Sequence, residues 1–171
     1  MWLIFILAFT RNVSVAIVFG MNNEYRIKNP SEFQIVIDAI LSWYKESNQE
    51  TLVIALRGDL GAGKTTFTQT LGRYLNIKEP ITSPTFTIMK QYGVDDERFD
   101  QLIHIDAYRI ESEDEMGPLR LKEIIQQPRK IVCIEWPERI TTVVPDSAVQ
   151  VEIVISEGEF RLVNLSQKSI K

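Results

Sequence analysis

The segment Gly58-Asp59-Leu60-Gly61-Ala62-Gly63-Lys64-Thr65 constrains this chain more than any other. It follows the apolar run Leu52 to Leu56 and opens a stretch with helical spacing, the strand, loop and helix setting of a phosphate-binding P-loop. Glycines at 58, 61 and 63 let the backbone take positive φ and turn its N–H groups inward, making a nest for phosphate oxygens at a helix N-terminus. Lys64 is placed to reach β- and γ-phosphates as a point charge, and the Thr65 hydroxyl falls where this motif holds Mg²⁺. The competing reading is a glycine-rich turn with an exposed lysine. The apolar strand before the loop and the helical pattern after it argue against that.

The chain of 171 residues has the length of one domain, and 44% apolar with 25% charged residues supplies a real core. Its formal charge is −4, and the part after residue 20 stands at −5 because Arg11 is the only charge before it. An acidic surface repels phosphate backbones, so the chain is not expected to grip nucleic acid by itself. Cys133 is the single cysteine, which rules out an intrachain disulfide and suits a reducing, cytoplasmic compartment. Within its apolar run it reads as a small buried hydrophobe.

Residues 2–9 and 13–19 are apolar, but Thr10, Arg11 and Asn12 interrupt them. An arginine at a bilayer centre costs about 2.5–3.5 kcal/mol, no basic region precedes the run, and no cleavage site is clear. The preferred reading sets residues 1–20 outside the fold, with Met21 as the functional start. A membrane anchor is the second reading and a packed element the third. Residues 21–166 are expected to form the domain and 167–171 a tail.

Beyond Met21 the pattern is regular. Tyr25 to Ile27 reads as a short strand, and Asn29, Pro30 and Glu32 carry the signature of a capped helix start. Phe33, Val36, Ile37, Ile40, Leu41 and Tyr44 then share one helical face, and Phe67, Leu71, Tyr74 and Leu75 form another up to Asn76. Pro80, Ser83 and Pro84 preclude regular structure. Thr85 to Tyr92 is expected as a strand with Phe86 and Ile88 on alternate positions, followed by a hairpin-like connection at Gly93 to Asp100. Leu119 to Ile125 is helical in character. Val149, Val151, Ile153 and Ile155 alternate, and with Phe160 to Leu165 they form an antiparallel hairpin across Glu157-Gly158.

Two further apolar strands end in carboxylates, Leu102 to Ile105 at Asp106 and Ile131 to Ile134 at Glu135. Ligands of open α/β sheets bind beyond the carboxyl ends of strands, so both side chains would face the phosphate site if these strands lie beside the P-loop strand. Mg²⁺ takes hard oxygen ligands, and Glu135 is the first choice for it. Asp106 is then available to orient or deprotonate an attacking water, with the two roles exchangeable. A strand-end carboxylate that caps a helix, or pairs with Arg109 or Arg139, is the alternative for each.

Together Gly58 to Thr66, Ser83-Pro84-Thr85-Phe86, His104-Ile105-Asp106-Ala107-Tyr108-Arg109 and Glu135-Trp136-Pro137-Glu138, in that order, resemble the TsaE (YjeE) family of P-loop ATPases in bacterial tRNA threonylcarbamoyladenosine synthesis. The resemblance runs from about Met21 to the C-terminal hairpin and departs from the family in the apolar extension before Met21. It implies ATP hydrolysis with Mg²⁺ and association with the two-protein TsaB and TsaD type complex that threonylcarbamoylates adenosine 37 of tRNAs reading codons that begin with adenine. The transfer itself belongs to that complex. It also implies nucleotide contacts from Gly58, Asp59, Leu60, Gly61, Ala62, Gly63, Lys64, Thr65 and Thr66, metal binding by Thr65 and Glu135, and a catalytic role for Asp106. Thr85 would sense the γ-phosphate in a loop fixed by Pro84, and Pro30 to Phe33, with Glu32, resembles the adenine-side contact.

His104 reads first as a hydrogen-bonded core residue and second as a proton shuttle. Trp136 either packs under the nucleotide or serves ordinary packing, and Tyr108 and Arg109 either orient the site or close the surface. Arg161 is a nucleotide-side candidate set against a solvated arginine. The expected fold is α/β: a three-layer P-loop NTPase-like domain with a mixed, mainly parallel central sheet and a C-terminal antiparallel hairpin. ATP hydrolysis is expected to be slow without partners, as no arginine finger or water-orienting glutamine is evident near the loop. Two alternatives remain: a small-molecule kinase, recognised by phosphoryl transfer to a metabolite, and a nucleotide-gated scaffold that tolerates loss of Asp106 or Glu135.

Overall fold

The computed structural model describes residues 23–112, 115, 117 and 120–167. The expectations for residues 1–20, for Met21 as a start and for most of the 167–171 tail lie outside the described residues, as does Leu119. A single 7-stranded sheet holds the chain together, in the order β1-β7-β6-β2-β5-β4-β3. Its strands are β1 Glu24–Ile27, β2 Thr51–Arg57, β3 Met89–Gly93, β4 Gln101–Asp106, β5 Lys130–Glu135, β6 Val149–Ile155 and β7 Arg161–Ser166. The central strands β6, β2, β5 and β4 run parallel, while β1, β7 and β3 pair antiparallel at the two sides. The mixed, mainly parallel sheet and its C-terminal hairpin therefore follow the pattern read from the sequence.

Why β2 and β5 lie at the centre is visible in their composition. Leu52 to Leu56 and Ile131 to Ile134 are buried on both faces, as continuous apolar runs in parallel sheets are. Leu52, Ile54 and Leu56 face one side with helices α1 (Phe33–Glu46) and α2 (Lys64–Tyr74). Val53 and Ala55 face the other, covered by α3 (Leu121–Ile125) with Ile110, Ile140 and Val143. On β6 only Val149, Val151 and Ile153 are buried, and the intervening side chains stay polar or exposed, the mark of a strand covered on one face. Among the described residues no helix is long and apolar enough to cross a membrane.

Local signals set the element ends. Glu32 accepts hydrogen bonds from the backbone N–H groups of Lys28 (2.7 Å) and Asn29 (3.3 Å), a capping arrangement that begins with a 3₁₀ turn at Pro30–Glu32 and runs on into α1. Phe33 then meets Phe67 edge to face, centroids 5.7 Å apart, tying α1 to α2. Such a pair contributes about 0.5–1.5 kcal/mol beyond its burial. Helix α2 stops where Asn76 turns left-handed (φ 57°) and the Ile77 N–H reaches back to the Gly72 carbonyl at 2.9 Å.

One expected element begins later than its composition suggests. The strand expected from Thr85 starts at Met89, because the Pro84 carbonyl draws in the N–H groups of Thr87 (2.9 Å) and Ile88 (2.6 Å). Ile88 is left-handed (φ 63°), so Phe86 and Ile88 do not alternate in a sheet, and Phe86 is 86% exposed. β-Type residues filled the segment, but a proline-led turn took its backbone donors.

Candidate functional site

At the C-terminal edge of the parallel strands a cleft of about 250 Å³ opens between the loop after β2 and the ends of β4 and β5. The loop has the backbone its glycines permit: φ is 139° at Gly58, 79° at Gly61 and 115° at Gly63. At Gly58 this is compulsory, since a Cβ there would stand 2.3 Å from the Ile153 carbonyl oxygen. Helix α2 then begins at Lys64, so its unpaired N–H groups and positive dipole end face the loop.

Lys64 is buried, and its Nζ donates to the carbonyls of Gly58 (2.6 Å) and Asp59 (2.8 Å). The ammonium also lies 4.0 Å from the ring centre of Trp136, a cation–π contact made from a left-handed backbone (φ 58°). Burial lowers the Lys64 pKa from the usual lysine range, opposed by the negative charges of Glu135, Asp106, Glu138 and Asp59 in that order. Three ammonium hydrogens and two carbonyl partners leave one donor for a phosphate oxygen.

The carboxylates stand on neighbouring strands with Asp106 opposite Glu135 in register. Glu135 belongs to β5, which pairs directly with the P-loop strand β2, while Asp106 lies one strand further out. Each is 3% exposed, and each has a separate set of partners. Glu135 Oε1 accepts a hydrogen bond from the Thr65 hydroxyl at 2.8 Å and lies 2.7 Å from His104 Nε2. Asp106 Oδ2 accepts from the hydroxyls of Thr85 (2.5 Å) and Ser83 (3.3 Å), and its Oδ1 from the Tyr108 N–H at 3.0 Å. One carboxylate is thus bound to the P-loop and the other to the Ser83–Thr85 turn.

This donor set suits Mg²⁺. Thr65 and Glu135 supply hard oxygens, and among the described residues no group of three or more His, Cys, Asp or Glu is arranged to hold a metal ion by itself. A cation held by one carboxylate and one hydroxyl takes its remaining ligands from phosphate and water, which is how Mg²⁺ is usually bound.

Leu60, Gly61, Gly63, Lys64, Thr65 and Thr66 line the cleft with Thr85, Asp106 and Glu135. Gly58 and Asp59 contribute backbone carbonyls to the loop's own hydrogen bonds with Lys64, and the Ala62 carbonyl accepts from outside the loop. Arg161 is not simply solvated: its Nε donates to the Ala62 carbonyl at 3.2 Å and its Nη1 to that of Glu159 at 2.9 Å. Glu32 is occupied by its cap, and the Pro30–Phe33 segment approaches the loop through the Phe33 ring, 3.6 Å from where a Cβ on Gly63 would sit. Ser83 joins the site without having been expected there, and His104, read first as a hydrogen-bonded core residue, has Glu135 as its partner. The i, i+2 spacing of His104 and Asp106 puts both on one face of β4, but only the strand register brings that face to Glu135.

Comparison with known proteins agrees with the motifs. A family model described as "Threonylcarbamoyl adenosine biosynthesis protein TsaE" matches residues 27–163. The Bacillus subtilis tRNA threonylcarbamoyladenosine biosynthesis protein TsaE is 35% identical over 130 residues, 76% of this chain and 76% of the relative. A Nostoc sp. protein of the same description is 48% identical over 91 residues, 52% of this chain and 54% of its own length, so that match spans about half of the relative. Among solved structures, the Bacillus YdiB crystal structure superposes with a TM-score of 0.61 at 27% identity, covering 85% of each chain. From the family match and these likenesses together, the chain belongs to the TsaE family.

Proposed function

We propose that the chain is a Mg²⁺-dependent ATPase required for N6-threonylcarbamoylation of adenosine 37 in tRNAs reading codons that begin with adenine. It acts in the cytoplasm on the TsaB and TsaD type transferase complex and meets tRNA through that complex. Residues 21–166 form the ATPase unit, with 1–20 and 167–171 outside it. The observation that carries the ATPase reading is the Thr65–Glu135 hydrogen bond beside the Lys64 ammonium. A P-loop hydroxyl joined to a strand-end carboxylate is the arrangement with which P-loop NTPases hold their cation.

The residues divide the work by position. The amides of Gly58 to Thr66 and the Lys64 ammonium bind the phosphate chain, and Arg161 and the Pro30–Phe33 segment border its nucleoside side. Thr65 and Glu135 hold Mg²⁺, which when bound neutralises charge on the phosphates. Asp106 orients the attacking water by accepting its hydrogen. Thr85, bonded to that carboxylate, links the Ser83–Thr85 turn to the occupancy of the γ-phosphate position. Catalysis of this kind is positioning and charge stabilisation, and the isolated chain turns over slowly.

Reconstitution of the tRNA modification with purified TsaB and TsaD type proteins tests this reading. Modification should require this chain and ATP, and should be lost with Lys64→Ala. Modification that proceeds equally without the chain, or labelled phosphate appearing on a metabolite instead of in water, would overturn it.

A further inference from the structure

Among the described residues, His104 is the one buried titratable side chain at this site that the mechanism above leaves unused. It is fully buried on β4, with Nε2 2.7 Å from Glu135 Oε1, and its Nδ1 is buried without a hydrogen-bond partner among the described residues. A carboxylate only accepts, so Nε2 carries the hydrogen. The buried Nδ1 finds no partner of its own among the described residues, so the ring's position is accounted for by the Nε2 contact alone. A position that required only packing would be better filled by an apolar side chain, because half of the imidazole's polar capacity is spent on nothing. What the ring provides is a single rigid donor aimed at Glu135.

That donor meets the same oxygen as the Thr65 hydroxyl. With both bonds on Oε1, the Glu135 carboxyl cannot rotate without breaking the two together. The parallel register of β4 and β5 sets this up: His104 pairs with Cys133 and Asp106 with Glu135, so His104 reaches Glu135 diagonally across the strand pair.

We infer that His104 is a positioning residue whose Nε2–H fixes the Glu135 carboxylate against Thr65, presetting the oxygen ligand for a divalent cation in the nucleotide complex. This rests on the reading of the cleft as a Mg²⁺-nucleotide site. Partners that orient metal ligands from behind typically govern affinity by about 10–100-fold.

The test separates cation binding from nucleotide binding. ADP affinity is measured by calorimetry without metal, and Mn²⁺ is titrated into the protein–ADP complex by electron paramagnetic resonance. For His104→Leu, metal-free ADP affinity should stay within about 2-fold of the native chain, while Mn²⁺ affinity falls by about 10–100-fold. His104→Gln, whose amide nitrogen reproduces the Nε2 position, should restore Mn²⁺ affinity to within a few-fold. If His104→Leu does not fold, His104→Asn carries the test, since its amide reproduces Nδ1 and offers Glu135 no donor. Unchanged Mn²⁺ affinity in the donor-free variant would overturn the inference, as would parallel losses of ADP and Mn²⁺ binding that His104→Gln does not repair. A native chain that binds ADP neither with nor without metal would instead overturn the nucleotide reading beneath it.

Discussion

Two glycines of the same loop should respond very differently to a single methyl group. Gly58 and Gly61 both have positive φ, 139° and 79°, so alanine is strained at either. Only Gly58 faces an obstacle. Its Cβ would lie 2.3 Å from the Ile153 carbonyl oxygen, whereas nothing lies within 4 Å of a Cβ at Gly61. Gly61→Ala therefore carries backbone strain of about 1–2 kcal/mol, partly offset by about 0.4–1 kcal/mol from the stiffer unfolded chain. Gly58→Ala carries strain of about 1–3 kcal/mol and a further 1–3 kcal/mol for moving β6 or the loop, roughly 2–6 kcal/mol together. At about 2–4 °C per kcal/mol for a domain of this size, Gly61→Ala should lower Tm by no more than about 6 °C and Gly58→Ala by about 4–24 °C. Thermal unfolding followed by circular dichroism reads both. Equal shifts would refute the argument, because they would mean that the Ile153 carbonyl does not confine the loop. Gly58→Ala should also weaken phosphate binding beyond its stability cost, since the Gly58 carbonyl anchors Lys64.

Other perturbations test separate parts of the structure. Asp106→Asn should lower ATP hydrolysis by about 100-fold or more with nucleotide affinity kept, and Thr85→Ala should lower it less; single-turnover hydrolysis beside calorimetry distinguishes these from a loss of binding. Gly72→Ala should destabilise by about 1–3 kcal/mol despite alanine's better helix propensity, because its methyl would stand 2.1 Å from Ile81 Cδ1, and Ile81→Val in the same chain should recover part of that in denaturant unfolding. Cys133 is buried and its thiol is pushed up to about 12 by that burial, so it should resist a thiol reagent at pH 8 until the chain unfolds. The unfolded chain releases that proton near the ordinary value of 9.0 while the folded chain keeps it, so stability should fall as pH rises from about 9 towards 12, and Cys133→Ala should flatten that slope.

What could be read from the residues in order was whatever depends on short-range physics. Glycines at 58, 61 and 63 announce positive φ because other side chains are excluded there. The apolar runs at 52–56 and 131–134 announce central parallel strands because both of their faces must be covered. Even the carboxylates of Asp106 and Glu135 stand out, since a charge that closes an apolar strand and stays buried there must be met by partners. The Thr85 to Ile88 turn was misread for the opposite reason: its composition suits a strand, but the Pro84 carbonyl captured its donors.

The remainder belongs to the tertiary structure. Sheet order put β5 between β2 and β4, and so gave Glu135 to Thr65 and Asp106 to Thr85. The return of β7 beside β6 brought Arg161 back to the Ala62 carbonyl, 99 positions away along the chain. Register set His104 against Glu135, where periodicity alone promised only a buried ring. Local sequence specifies backbone torsions and which faces are apolar, and these act over a few residues. Which functional groups meet across strands depends on pairings that the whole core selects, because one residue of slip would turn each of these side chains to the opposite face.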